Sequence, residues 1–220
     1  MDTFELIIRT EHPPHPAAPE KNGLPLRPIL FKFGLFLIIF IFSFHLSLSH
    51  FAQDILDLEP GSRNREKTIR EMVTVLEKHQ TGLANVTREE LAEVIYEEAL
   101  RYNQDPKFIL ALIAIESSFD NSSVSEKGAK GLMQMMPYVA QSVAHQMGIE
   151  WTGDRTLFNP FLNVRMGIHY LSQLILDFDD LGLAVAAYNC GPTYVRDLMG
   201  RKEKVPLDFY RKLLLVYHTL

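Results

Sequence analysis

The sequence predicts a mostly α-helical domain that is preceded by one N-terminal transmembrane or signal-anchor helix. The fold class is predicted by an uncharged apolar run near the start, by helix caps followed by apolar residues at helical spacing, and by the weakness of strand signals. A length of 220 residues allows one ordinary domain and an appendage. The single cysteine excludes an internal disulfide framework and any multi-cysteine metal site.

Charge and histidine placement narrow the classes of function. The eight histidines are scattered without metal-ligand spacing, so neither a metal nor another cofactor is expected. Residues 1–52 carry four basic and four acidic side chains, so the whole net charge of −5 falls on residues 53–220. An acidic domain without a basic stripe argues against nucleic acid as a partner, because that affinity comes largely from neutralising phosphates.

The predicted membrane segment covers residues 28–52. Residues 33–48 carry no charge at neutral pH and would reach about 24 Å as a helix at ~1.5 Å per residue. Extension back to Pro28 gives about 31 Å, which matches the ~30 Å hydrocarbon core of a bilayer. A buried helix of a globular domain is the alternative, but the run lacks an amphipathic pattern and follows a polar, proline-rich tail.

The flanking charges predict the orientation of this segment. Lysine and arginine precede it and acidic residues follow it, which predicts a cytoplasmic tail at residues 1–27 and export of the chain after about residue 50. Ser47-Leu48-Ser49 is a weak cleavage site, so removal of the segment stays open, although an uncleaved anchor is preferred.

The exported part divides into two segments. Residues 53–84 contain an amphipathic helix from Glu66 to His79, which is either a stalk or an element packed on the domain. Residues 85–220 form the domain, and Thr87 and Glu90 there match a capping box. The next helix, from Pro106 to about Ser117, is apolar nearly all round, which predicts a central position. Further helices are predicted over 137–147, 160–177, 183–188, 193–199 and 207–218.

Glu116 is a candidate acid at the end of that central helix. It follows eight consecutive apolar residues, 108–115, and desolvation by such neighbours raises the pKa of a carboxyl group. The negative end of the helix dipole acts in the same direction. A raised pKa is what a general acid near neutral pH requires. An exposed helix-end carboxylate is the alternative, and these residues alone leave both open.

Three motifs in order strengthen the acid assignment. They are Glu116-Ser117, the turn Gly131-Leu-Met-Gln134, and Ala187-Tyr-Asn-Cys-Gly-Pro192. From about Thr87 to Leu220 the chain resembles the soluble lytic transglycosylase type family of peptidoglycan-cleaving enzymes, whose domain looks like goose-type lysozyme. Each motif alone is a weak match, but their order and separations together are specific.

The resemblance implies a lysozyme-like transglycosylase domain and a reaction. It implies cleavage of the β-1,4 bond between N-acetylmuramic acid and N-acetylglucosamine, with formation of a 1,6-anhydromuramoyl end. Glu116 would first protonate the departing oxygen and then accept the proton of the muramoyl C6 hydroxyl. It also implies peptidoglycan glycan strands as partner. Together with the predicted anchor, this gives the expected location: a single-pass protein of the inner (cytoplasmic) membrane with its catalytic domain in the periplasm or cell-wall space.

The resemblance also implies substrate-binding residues, each with a simpler alternative. Ser117 could only cap its helix, Gln134 could be an exposed turn residue, and the Met133 side chain is also typical of packing. Tyr188 and Asn189 could serve the core and a turn, although the resemblance directs the Tyr188 hydroxyl toward the acid. A second set is expected to maintain the fold: Asn163, Gly167 and Tyr170. Cys190 is expected to be a small buried residue.

Departures and competing functions remain. The Glu-Thr pair that many relatives carry before their last helix is missing, and either Phe209 or Tyr210 could take the family's tyrosine position. A hydrolytic goose-type muramidase would need a second carboxylate, and Asp120 and Glu126 are near in sequence but typical of solvated loops. The third reading is a non-catalytic wall-binding scaffold, with a secretion or other envelope-spanning machine as its partner.

Overall fold

The computed structural model describes residues 40–47 and 60–220. The chain divides into two compact units, Met1–Glu59 and Pro60–Leu220. The described part of the first unit, residues 40–47, is helical and is called α1. No helix in the described ranges is long and apolar enough to cross a bilayer. The tail 1–27 and most of the predicted segment 28–52 lie outside those ranges.

The second unit is mostly helical, as predicted. Its helices are α2 (Pro60–Leu76), α3 (Arg88–Arg101), α4 (Pro106–Ser117), α5 (Pro137–Gln146), α6 (Asp154–Leu157), α7 (Pro160–Phe178), α8 (Leu181–Cys190), α9 (Pro192–Gly200) and α10 (Asp208–Thr219). The β-structure described over residues 60–220 consists of isolated bridges at Val124–Lys130 and Lys130–Met135.

Helix α2 packs on the domain, which is one of the two alternatives left open for residues 53–84. Ile69, Met72 and Leu76 on α2 are buried in the same core as Leu91 and Ile95 on α3. The helix begins and ends earlier than the apolar spacing predicts. Since burial of large apolar side chains stabilises a fold, α2 is part of the compact unit rather than a free stalk.

Helices α3 and α4 form where their caps predict. The Thr87 Oγ accepts from the Glu90 amide at 3.1 Å, and the Glu90 carboxylate accepts from the Thr87 amide at 2.8 Å, which completes the capping box. Asp105 caps α4, with Pro106 in its first turn. Residues 108–113 are at most 6% exposed, so α4 is the central helix.

The later helices place the remaining motifs around α4. Helix α7 packs against α3, α5 and α8, and α10 packs against α4 and α8. Gly191, with a φ of 94°, ends α8, and Pro192 begins α9 directly after it. Among the helices of residues 60–220, α6 alone has no predicted counterpart. It has four residues, and a single helical turn is too short to show an apolar periodicity.

Candidate active site

Glu116 lies in the last turn of α4, where the helix leaves the core. The helix ends at Ser118, a left-handed residue with a φ of 52°, whose amide donates to the Ala114 carbonyl at 3.0 Å. The Glu116 side chain is half-buried and makes neither a hydrogen bond nor an ion pair with any residue of the described ranges.

Burial dominates the electrostatics of this carboxyl group. It raises the pKa of Glu116 from an ordinary 4.5 to about 8, and the positive charge of Lys212 on α10 opposes it with a smaller effect. The group is therefore predominantly protonated at neutral pH. A protonated carboxyl without a protein partner is free to donate its proton to a bound molecule.

The loop that contains the Gly-Leu-Met-Gln motif is held in one conformation by the buried Asn163 on α7. The Asn163 Nδ2 donates to the Lys130 carbonyl at 3.0 Å and to the Leu157 carbonyl at 2.9 Å, while Oδ1 accepts from the Met133 amide at 2.8 Å. Gly131, with a φ of 79°, approaches so closely that an added Cβ would lie 2.4 Å from Nδ2. The expectation that Asn163 maintains the fold is confirmed.

Met133 is a packing residue in this loop, and the expectation that it contacts substrate is revised. Its side chain is fully buried, and an added Cβ at Gly167 would lie 2.5 Å from its Sδ. Its carbonyl accepts from the Tyr188 hydroxyl at 2.8 Å. A side chain without accessible surface cannot contact a sugar, so the Met133 side chain packs the loop instead.

Gln134 follows Met133 in a left-handed conformation, with a φ of 46°. Its Nε2 donates to the Ser123 carbonyl at 3.1 Å and to the Gly131 carbonyl at 2.9 Å. These bonds fix the amide, while its Oε1 accepts nothing from the described residues and is free to accept from a ligand.

Tyr188 on α8 is hydrogen-bonded to the loop and interacts electrostatically with Glu116. Its hydroxyl donates to the Met133 carbonyl and lies 3.4 Å from the Met135 sulfur. Burial raises the pKa of Tyr188 well above 10, and the charge of Glu116 adds to this effect. The two groups therefore interact electrostatically, but the one phenolic hydrogen is committed to Met133 rather than to Glu116.

An open groove of about 860 Å³ runs beside these residues. It is lined by Lys127, Gln134, Met135, Met136, Tyr138, Val139, Tyr170, Tyr188, Asn189, Cys190, Gly191, Pro192, Thr193, Tyr194 and Asp197. The groove thus brings together three predicted substrate-binding residues, Gln134, Tyr188 and Asn189. Glu116 and Ser117 are not in its lining.

Comparison with known proteins assigns this arrangement to a family. The Transglycosylase SLT domain matches residues 93–207, just over half of the chain and a range that contains Glu116, Gln134 and Tyr188. The chain belongs to the transglycosylase SLT domain family. The match begins inside α3 and therefore excludes α2.

Two curated relatives, both named lytic murein transglycosylases, agree with this assignment. Membrane-bound lytic murein transglycosylase F of Desulfosudis oleivorans is 34% identical over 122 residues, which cover 52% of this chain and 25% of that protein. The soluble lytic murein transglycosylase of Salmonella typhimurium is 34% identical over 95 residues, covering 42% of this chain and 15% of that protein. An inactive mutant of lytic transglycosylase Slt from Pseudomonas aeruginosa aligns with a TM-score of 0.47 at 30% identity, covering 57% of this chain and 21% of that one. The matched part of the chain covers between 15% and 36% of the length of the curated relatives compared.

Ser117 bonds its own helix, which agrees with the simpler of its two alternatives, whereas Cys190 is not buried as expected. The Ser117 hydroxyl is buried and donates to the Ile113 carbonyl at 3.2 Å, so it bonds its own helix. Cys190 was expected to be buried, but it is exposed and lines the groove, with its Sγ donating to the Ala186 carbonyl at 2.9 Å.

The acidic loop residues near Glu116 are solvated or locally bonded. The Asp120 carboxylate accepts from the Ser122 amide at 2.9 Å and from its hydroxyl at 2.7 Å, and Glu126 is exposed. Neither lines the groove, whereas the exposed Asp197 on α9 does.

Sequence reasoning missed several groove residues of the SLT domain. Tyr138 is 71% exposed on the groove wall, Tyr194 lies on α9, and Tyr170 was assigned to the fold alone although it also lines the groove. The Tyr170 and Tyr188 rings lie 5.5 Å apart. Lys212 was missed because its approach to Glu116 depends on how α10 packs on α4. Exposed tyrosines do not contribute to the apolar periodicity of a sequence, so their grouping around the groove becomes visible only in the folded chain.

Proposed function

We propose that this chain is a peptidoglycan lytic transglycosylase that cleaves the β-1,4 bond between N-acetylmuramic acid and N-acetylglucosamine. The proposal is supported by membership of the SLT domain family and by relatives named lytic murein transglycosylases. The bond breaks without net addition of water, so the muramoyl product ends in a 1,6-anhydro ring.

The first step is proton donation by Glu116. Its carboxyl proton goes to the glycosidic oxygen while the bond from that oxygen to C1 of the muramoyl residue breaks. The electron pair stays with the oxygen, which leaves as the 4-hydroxyl of N-acetylglucosamine, and C1 gains oxocarbenium character. The observation that carries the proposal is the half-buried Glu116 carboxyl group. Its pKa of about 8 keeps it protonated at neutral pH, and it has no partner among the described residues.

The second step returns the proton to the same group. The Glu116 carboxylate accepts the proton of the muramoyl C6 hydroxyl, and the hydroxyl oxygen bonds to C1. One carboxyl serves both steps because they are sequential, so the second carboxylate of the usual glycosidase pair is unnecessary. The Lys212 charge favours the ionised form of Glu116 and would stabilise it between the steps.

The remaining residues divide into substrate contacts and positioning residues. Gln134, Tyr188 and Asn189 line the groove and are assigned to substrate binding, with the free Gln134 Oε1 as an acceptor for a sugar hydroxyl or amide. Ser117 and Met133 are buried and are assigned to positioning. The exposed Tyr138 and Tyr194 offer faces on which a sugar ring can stack.

Substitution of the acid tests the catalytic assignment. The Glu116→Gln variant keeps the shape of the side chain but has no proton to donate, so lysis of purified sacculi should fall by about 10²-fold or more. Glu126→Gln is the matched control, because Glu126 is a solvent-exposed loop carboxylate whereas Glu116 is half-buried. Retention of full lytic activity by Glu116→Gln, in a folded protein, would refute the assignment.

Cellular placement forms part of the proposal. Residues 1–27 lie in the cytoplasm, the single segment 28–52 anchors the chain in the inner membrane, and the SLT domain works in the periplasm or cell-wall space. The proposal is supported by the uncharged run at 33–48 and by the charges on its two sides. A scaffold role in an envelope-spanning machine would not need the carboxyl group that Glu116 supplies.

A further inference from the structure

The segment between α2 and α3 contacts the loop that follows Glu116. The His79 ring packs against the Phe119 ring in a tilted arrangement, with centroids 4.7 Å apart and 54° between the planes. The Thr81 carbonyl accepts from the Asn121 amide at 2.9 Å. Gly82 packs so closely that an added Cβ would lie 2.9 Å from the Asp120 Oδ1. We call residues 77–82 the α2 clamp.

The loop that the clamp contacts is conformationally strained. Ser118 and Phe119 are consecutive non-glycine residues in the left-handed region, with φ angles of 52° and 66°. A non-glycine residue in this region is strained and persists only where its surroundings enforce the conformation. Phe119 is 1% exposed, so its ring is enclosed by the core on one side and by His79 on the other.

The clamp is itself fixed to the domain. Arg88, the first residue of α3, donates from Nε to the Leu76 carbonyl at 3.2 Å and from Nη2 to the His79 carbonyl at 3.3 Å. Leu76 is fully buried and Thr81 is 4% exposed. A cation bonded to the last carbonyls of a helix stabilises its end. These bonds therefore hold the α2 clamp in a defined position against the loop.

From these contacts we infer that the α2 clamp, which lies outside the SLT match, positions Glu116 for catalysis through His79 and Phe119. The inference rests on the proposed function of Glu116. Ser118 and Phe119 begin two residues after the acid and end its helix, so relaxation of this loop would unwind the last turn of α4 and redirect the Glu116 carboxyl. Misplacement of a catalytic group by about 1 Å can cost 10²-fold in rate.

His79→Ala in the full chain tests the inference. Loss of the stacked ring should lower kcat on purified sacculi at least about fivefold with KM changed less than about twofold, because groove residues that bind the strand are untouched. His79→Phe, which retains a ring at the Phe119 face, should restore kcat to within about twofold of the parent chain. Lys78→Ala is the matched control, since Lys78 is exposed in the same segment and its side chain has no partner in the described ranges.

A readout independent of activity separates this inference from the proposed function. Hydrogen exchange of the peptide covering residues 116–123 should become faster in His79→Ala, at the Asn121 amide above all, while exchange in α7 stays as in the parent. Unchanged exchange in this peptide together with an unchanged kcat would overturn the inference, whatever the activity of Glu116→Gln. Inactivity of the parent chain on sacculi would instead count against the proposed function.

Discussion

At the scale of single residues, the proposed chemistry depends on a carboxyl group that the fold partly removes from water. Desolvation of Glu116 follows from its place after eight apolar residues, and this was predictable from the sequence. The contribution of Lys212 was not, because it comes from a helix almost one hundred residues later in the chain. Local sequence therefore predicts the direction of the pKa shift, while the full set of charges around the acid needs the fold.

The pH dependence of activity should report this carboxyl group. Because the general acid must be protonated in the free enzyme, kcat/KM on sacculi should fall above a pH of about 8, by about tenfold per pH unit. Lys212→Ala should move this alkaline limb to higher pH, since Lys212 lowers the pKa of Glu116. Arg211→Ala, which removes a neighbouring charge paired with Asp208, should leave the limb in place. A limb that begins near pH 4.5 would contradict the account.

The free energy of unfolding should also depend on Glu116, and it should fall as pH rises. The folded chain holds the Glu116 proton up to about pH 8, whereas the unfolded chain releases it near pH 4.5. Because Glu116 ionises only in the unfolded chain between about pH 4.5 and 8, the free energy of unfolding falls as pH rises through this range, by at most about 4–5 kcal/mol. Glu116→Gln should accordingly be more stable than the parent at pH 9 and similar at pH 4. Urea titrations at the two pH values measure this difference.

At the scale of elements, the loop at 123–136 shows where sequence reasoning stops. Its glycine and glutamine are visible as a motif, but the Asn163 amide that bonds both Lys130 and Met133 is some thirty residues away. Sequence spacing does not reveal such a contact, and the assignment of Asn163 to the fold came only from the resemblance. The same limit explains why Met133, adjacent to Gln134, was placed with the substrate contacts.

Gly131→Ala should disrupt this loop. The residue has a positive φ of 79°, and its new Cβ would lie 2.4 Å from the Asn163 Nδ2 and 2.6 Å from the Leu157 carbonyl oxygen. We expect a loss of more than about 3 kcal/mol in the free energy of unfolding. Gly128→Ala, with a φ of 85° but open space around it, should lose only about 1 kcal/mol. Equal losses, measured by urea unfolding, would show that the close approach to Asn163 is unimportant.

Helix α2 makes a second prediction at this scale. Apolar spacing predicted an amphipathic helix, but only the structure distinguishes packing on the domain from a stalk. Met72 is 2% exposed, so Met72→Ala should lower the free energy of unfolding of the domain by about 2–5 kcal/mol. Glu71→Ala, on the exposed face beside it, should change it by less than about 0.5 kcal/mol. A neutral Met72→Ala would support the stalk instead.

At the scale of the whole molecule, the fold class could be predicted because its signals are local. The Thr87 capping box, Pro106 in the first turn of α4, and the apolar run between residues 108 and 115 each specify structure within a few turns. The groove could not be predicted from the sequence, because its tyrosines come from α5, α7, α8 and α9 and are brought together only by the packing of these helices. Exposure of Cys190 likewise depends on how the end of α8 meets α9.

Membrane attachment is a prediction about the whole chain. After expression of the full chain in a Gram-negative host, it should sediment with inner membranes and resist carbonate extraction. Leu37→Arg combined with Ile41→Arg should release it, because charge at the centre of a span costs about 2.5–3.5 kcal/mol per residue. Arg9→Leu combined with Asp2→Asn changes the proximal tail without altering the apolar run and is the control. Membrane retention of the doubly charged variant would contradict the predicted anchor.

The chemistry of the cleaved ends tests the central claim most directly. Purified sacculi digested with the full chain, followed by mass spectrometry of the released muropeptides, should show 1,6-anhydromuramoyl ends, and these should be absent after digestion with Glu116→Gln. Reducing muramic ends, 18 mass units heavier through the added water, would identify a hydrolytic muramidase with a second carboxylate such as Asp197. That result would contradict the single-carboxyl mechanism.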